Sequence, residues 1–263
     1  MTDETKLDHA HSAMQADLDD DAARLRFYER LADGELFLLL TEEAQGDNLS
    51  PEMFELEKDK YVLVFDREDR LAEFVGQAAP YAALPGRAIA AMLAGQNIGL
   101  GVNLGVAPSS ILIPESAMAW LAETLTHGPE EVEAQLSELT PPVGLPEALI
   151  IALDEKLASA GGLAGHACLA GVTYGDGRKG HLLGFMDPVS GAEHALARAA
   201  NEALTFSGID AGQIDVGFFG SHEPLAQKLA AVGLRFDLPV AEKPTPKAPS
   251  APGMDPDNPP ILK

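Results

Sequence analysis

Apolar residues along the chain fall into short runs that switch between the strand period and the helix period. Residues 61–65 (YVLVF) are an unbroken β-favouring run, the pattern of a strand buried on both faces. Asp66 follows where a helix N-cap would accept hydrogen bonds from the first-turn amides, and Asp69 adds favourable charge there. Leu71, Phe74 and Val75 give that helix one apolar face. Pro80 and the Leu84-Pro85-Gly86 turn then interrupt it, because proline disfavours helical geometry in the residue before it. Ile89, Met92 and Leu93 predict a second helix. From Ile98 the period is two: Ile98, Leu100, Val102 and Leu104 share one face, and Gly99, Gly101, Asn103 and Gly105 the other. Residues 111–113 predict a short strand, and Pro114 opens a helix that turns Met118, Leu121 and Leu125 inward.

Upstream, residues 1–20 are polar and acid-rich and predict a frayed or disordered start. The acids at 17–21 predict the N-terminus of a helix that runs to Asp33-Gly34. Residues 35–41 read as a buried strand, and 52–57 as a second strand paired with 61–66. Downstream, residues 127–145 predict a linker with one short helix at 130–139, broken by the Pro-Pro-Val-Gly that follows. Leu149, Ile150, Leu153 and Leu157 mark the next helix, and 165–187 reads as a hairpin turning at 176–180. Ser190 and Glu193 have capping-box spacing for a helix to about Phe206. A strand at 214–219, a short helix capped by Ser221 and an edge strand at 234–238 complete the pattern.

These elements predict an α+β (mixed α/β) protein of two small domains, 21–126 and 146–239. Each is a mixed or antiparallel sheet covered by helices, with those of the second domain on one side. Residues 240–263 predict a disordered or extended proline-rich tail, since eight prolines fall in the 25 residues from Pro239.

Charge narrows the function classes. With 41 acidic and 18 basic residues the net charge is -23, a field that repels nucleic acid and anionic membranes and suits solubility or a basic partner. A single cysteine rules out an internal disulfide. No apolar run approaches the ~20 residues of a membrane span, and the N-terminus does not resemble an export signal, so a cytoplasmic location is expected.

Catalytic and cofactor signals are weak throughout. Gly99-x-Gly101-x-x-x-Gly105 is not a dinucleotide fingerprint, and no helix opens after it. Its bare face admits two readings, close approach of a ligand phosphate or partner strand, or tight packing of a helix. Cys168 and His166 share a strand face, but a cysteine in an apolar strand usually acts as a small core residue. His166 and His181 flank the hairpin too far apart to share an ion. No cofactor, metal or catalytic residue is predicted. Arg87 opens a helix, where its charge opposes the dipole; it can bind an anion on a partner or pair with a neighbouring acid. Pro85, Gly86, Arg87 and Asn103 are therefore the candidate partner-binding residues.

An apolar strand ending Phe65-Asp66-Arg67-Glu68, then Leu84-Pro85-Gly86-Arg87, the 99–105 glycine strand and the 113–121 helix resemble the N-terminal domain of the SseB family. Residues 146–239 resemble its C-terminal domain more loosely. The family is named for enhanced serine sensitivity. The resemblance implies no reaction, cofactor or catalytic residue. It implies a two-domain cytoplasmic protein with a regulatory or interacting role and an unidentified protein partner. The alternative is a small-molecule sensor or enzyme linked to serine or sulfur metabolism, with a site between the domains.

Overall fold

The computed structural model describes residues 4–239 except 45, 47, 57, 127–135 and 209–213. Two mixed sheets, each with its own helices, make an α+β fold. The first part contains α1 (Lys6–Ala16), α2 (Asp21–Asp33), β1 (Glu35–Leu39), β2 (Met53–Leu56), β3 (Asp59–Phe65) and α3 (Glu68–Val75). It continues through β4 (Tyr81–Pro85), α4 (Gly86–Leu93), β5 (Ile98–Val102), β6 (Ile111–Ile113) and α5 (Glu115–Thr126). The second contains β7 (Leu136–Thr140), α6 (Glu147–Ala158), β8 (His166–Tyr174), β9 (Lys179–Met186), α7 (Glu193–Ser207), β10 (Ile214–Phe219), α8 (Pro224–Val232) and β11 (Leu234–Asp237).

The first sheet runs β4-β1-β3-β5-β6, and β2 also pairs with β3. Only β3 and β5 are parallel. β1 pairs with the end of β3 (Leu38 opposite Val64) and β2 takes over toward its start (Met53 opposite Val62). Strand alternation sends Leu36, Leu38, Val62, Val64, Leu100 and Val102 into the main core beneath α1, α2, α4 and α5. Leu39, Leu63 and Phe65 point to the opposite face, where Leu71 of α3 covers them.

The second sheet runs β10-β9-β8-β11, with β7 also on β8. Ala167, Leu169, Leu183 and Phe185 pack against α6 and α7. Cys168, Ala170, Val172 and Leu182 pack against Ala226 and Leu229 of α8. The expectation of helices on one side is thus corrected: β8 is apolar on both faces, so both need cover.

Other expectations shift for local reasons. Residues 6–16 form a helix rather than a frayed start; Thr5 and Asp8 close a capping box on it. The Leu84-Pro85-Gly86 segment is the end of a strand entering a helix, not a free turn. Residues 136–140 of the expected linker form β7 instead of helix, while 127–135 lie outside the described residues. Ser190 and Ser221 do not cap: α7 and α8 begin after Ala192 and Glu223. The tail, 240–263, also lies outside the described residues.

The two parts share a packed boundary. Phe206 of α7, 1% exposed, belongs to the first domain's core. Its ring meets Trp120 edge-on at 6.4 Å, and Trp120 meets Tyr28 at 5.3 Å. α7 then ends at Gly208 in the left-handed region, φ 66°, against Ala22 and Leu25 of α2.

Candidate functional site

The four candidate residues occupy two separate places. Pro85 ends β4 and Gly86 begins α4 at the closest approach to α2: a Cβ on Gly86 would stand 1.8 Å from the Leu31 carbonyl oxygen. Its amide donates to the Gly34 carbonyl at 2.9 Å. This junction directs Arg87 toward the domain boundary, where its guanidinium bonds both Glu202 oxygens at 3.0 and 3.1 Å and also Asp33.

Arg87 therefore belongs to an ionic hub. Lys156 of α6, 5% exposed at its side chain, lies 2.6 Å from Asp33, 2.8 Å from Glu202 and 3.5 Å from Glu29. Arg30 pairs with Glu155, and Arg198 approaches Glu202 at 3.7 Å. Four helices, α2, α4, α6 and α7, each supply charge. Burial works against the Glu202 carboxylate, but hydrogen bonds from Arg87 and Lys156 outweigh it and hold its pKa below the ordinary value. Burial dominates at Glu29, whose pKa is raised despite Lys156.

Asn103 lies elsewhere, fully buried, with φ 48°. Its side chain accepts from the Asp66 amide at 3.1 Å and donates to Ser109 Oγ at 2.8 Å. Ser109 donates to Asp8, which receives Arg70 through both oxygens at 3.2 and 2.5 Å. Arg70 also holds Asp66 at 2.8 Å, and Thr5 Oγ1 donates to the other Asp66 oxygen. Asp66 is thus engaged in this network instead of capping α3, whose N-cap is Arg67. Burial would raise the Asp8 pKa, but Arg70, Ser109 and Thr5 hold it well below the usual carboxylate range. Beside them His11 is buried with no hydrogen-bond partner at Nε2, its ring edge-on to Phe27. Burial lowers its pKa against the pull of Asp8.

The glycine face is covered by side chains of the next strand, not by a helix. A Cβ on Gly99 would meet the Tyr61 ring at 2.6 Å, and one on Gly101 would meet Leu63 at 2.7 Å. Where this face reaches the surface, Asp59, Lys60, Tyr61, Asn97, Gly99 and Glu115 line a cleft of about 230 Å³. In the second domain Cys168 is buried and its thiol pKa is raised by burial. Gly171 lies opposite His181 and Met186 opposite His166, which puts the two histidines five strand positions apart. Among the described residues no group of three or more His, Cys, Asp or Glu side chains is placed to hold a metal ion.

One surface was not singled out by the sequence. All four residues of β2 are exposed, including Met53 at 40%, Phe54 at 44% and Leu56 at 44%. Phe54 stands opposite Tyr61, and Tyr61 opposite Gly99, so one cross-strand row leads from the apolar edge to the cleft. The signal was present in the acid-flanked sequence EMFELE, but an alternating strand reads alike whether or not anything covers it.

Comparison with known proteins adds a family. Residues 7–120 match the model of the SseB protein N-terminal domain, so this part of the chain is similar to that family. The match takes in α1 from Leu7 onward, β2, and the first-domain residues of both charged networks apart from Thr5. No curated protein and no solved structure matches the chain. Among the described residues no helix is long and apolar enough to cross a membrane.

Proposed function

From a chain whose residues 7–120 match the SseB N-terminal domain, we propose a non-enzymatic cytoplasmic protein that acts by binding another protein, in a regulatory role. The observation that carries this reading is β2, a strand with three exposed large apolar residues on four positions. Adjacent exposed apolar side chains are a common mark of interaction surfaces. The two buried carboxylates with lowered pKa support the same reading from the other side. Asp8 and Glu202 are saturated by internal partners, which suits structural cross-links better than acid–base chemistry. Between the domains, where a small-molecule site is the alternative, the hub and Phe206 against Trp120 make direct contacts, which supports the protein-binding reading.

The test is crosslinked capture from native lysate with wild type and Phe54→Lys as paired baits. A stoichiometric partner that Phe54→Lys loses supports the reading. A bait that remains clean, while a metabolite raises the melting temperature through binding to the folded state, overturns it in favour of a small-molecule sensor or enzyme.

A further inference from the structure

We propose that β2 is an edge at which a basic, extended segment of a partner protein adds as a further strand. This rests on the protein-binding reading above and deepens it by naming the mode of contact and the chemistry of the partner.

β1 is flanked by β4 along its length, from Glu35 opposite Pro85 to Leu39 opposite Tyr81. β4 stops there, and β2 continues along β3 beyond it. Residues 50–52, just ahead of β2, pair with the end of β1 (Leu40 opposite Pro51, and the Glu52 amide donating to the Leu39 carbonyl at 3.0 Å), but among the described residues no strand pairs with the outer edge of 53–56. Half the backbone donors and acceptors of such an edge point away from its ladder, which makes it a template for another strand. Its four consecutive pairs with β3, from Met53–Val62 to Leu56–Asp59, keep a regular register without a bulge to spoil the template.

The edge of β2 is less protected than other strand edges of the molecule. β11 carries the paired charges Arg235 and Asp237 at 2.7 Å, and β10 carries Asp215 held by Tyr174. Charges of this kind discourage edge pairing. β2 carries one such pair, Glu55 with Lys60 at 3.5 Å, but its other three positions are the exposed Met53, Phe54 and Leu56, with Phe54 aligned to the Tyr61–Gly99 cleft. An added strand would place alternate side chains on that row, the usual source of specificity in strand addition.

Glu52 and Glu55 lie on or beside β2, Asp59 opposite its end, and Glu42 accepts from Ser50, three residues ahead of the strand, at 3.0 Å. Lys60 is engaged by Glu55 at 3.5 Å. A second copy of the chain would set these carboxylates against their own kind, on molecules of net charge -23. A segment carrying lysine or arginine between β-branched residues meets both the apolar positions and the acids.

The experiment uses the full chain and three labelled peptides: alternating lysine–valine, alternating lysine–proline of the same charge, and alternating glutamate–valine. Fluorescence anisotropy reads affinity, and hydrogen exchange reads protection at residues 53–56. The expected result is that lysine–valine binds at least about tenfold more tightly than either other peptide, as strand pairing with charge matching requires, and slows exchange in β2. Phe54→Lys should weaken it by a similar factor while leaving the melting temperature and Trp120 emission unchanged. Equal binding of lysine–valine and lysine–proline would reduce the effect to bulk charge and overturn the proposal. So would β2 protection that disappears when residues 240–263 are removed, or dimerisation abolished by Phe54→Lys; these assign the edge to the chain's own tail or to a second copy. If a lysate partner is captured but is indifferent to Phe54→Lys and no peptide binds, strand addition fails while binding by another surface stands. A clean bait together with no peptide binding sinks both.

Discussion

The two buried ionic networks are built from similar side chains but do different work. In the Asp8 network one arginine, Arg70, serves two carboxylates, and neutral donors from Thr5 and Ser109 supply the rest. It ties α1 to α3 and to the 103–110 loop, all within the first domain. The Lys156 hub balances Glu29, Asp33, Glu155 and Glu202 against Arg30, Arg87, Lys156 and Arg198, and its contacts cross the domain boundary. Neutral donors complete a network inside one fold, where the geometry is fixed by the chain. Opposite charges on separate helices set the relative position of two units, because only one docking pairs them all.

Removing Arg70 should have the largest effect. Arg70→Met strands the fully buried Asp8 carboxylate, and breaking a buried pair in this way costs ~3–5 kcal/mol. Urea unfolding checks the loss, and Asp8→Asn in the same chain should restore part of it. Equal stability of Arg70→Met and wild type would show that the network contributes nothing net.

Lys156→Met comes next, at about 2–3 kcal/mol, because Glu202 keeps Arg87 as a partner. Here the signature differs as well as the size. The one tryptophan, Trp120, packs against Phe206 across the boundary, so its emission should shift on loosening of the domains before the first core melts. Arg70→Met should instead lose fluorescence and secondary structure together. If both variants unfold in one coincident step with the same spectrum, the distinction between fold-internal and interface networks falls.

Acid should separate the networks further. Asp8 and Glu202 have lowered pKa values, so the stability they give is present above the ordinary carboxylate range and lost as pH falls through their folded values. Glu29 is raised, and its effect runs the other way: stability falls as pH rises from its ordinary value through the folded one. His11 is lowered, so stability is full above its ordinary value and declines as pH falls below it toward the folded value. His11→Leu should therefore flatten the loss of melting temperature between neutral and mildly acid pH, and Glu29→Gln should add a small gain at neutral pH. A wild-type profile that is already flat there would remove His11 as the cause.

What the sequence made legible was whatever repeats along the chain. Period-two and helical spacing located β3, β5, β6, α5, α6 and the β8–β9 hairpin without long-range information. What it hid depends on partners far away. α1 looks too polar to hold, yet Asp8 meets Arg70 across 62 positions. Asp66 looks like a cap until Thr5 and Arg70 claim it. Arg87 was poised between a partner's anion and an internal acid, and Glu202, 115 positions on, decides where its side chain lies. β4 was lost because its alanines lack β-branching and its proline, at the strand end, resembles a breaker.

The smallest effect on stability belongs to the surface with the largest proposed consequence. Phe54 is 44% exposed on an edge with no covering helix, so Phe54→Lys should change the unfolding free energy by no more than ~0.5 kcal/mol, as surface substitutions usually do. A core strand could not accept that change: at Val64, with no exposure, a lysine would need to be buried unpaired. An effect that small would leave the cross-strand neighbour Tyr61 as the main folding contact of Phe54 and would fit the proposed binding role of this edge. Urea unfolding of Phe54→Lys checks this directly. A loss of several kcal/mol would mean that Phe54 packs as part of the fold, and the contrast between networks that hold the protein together and an edge that reaches outward would disappear.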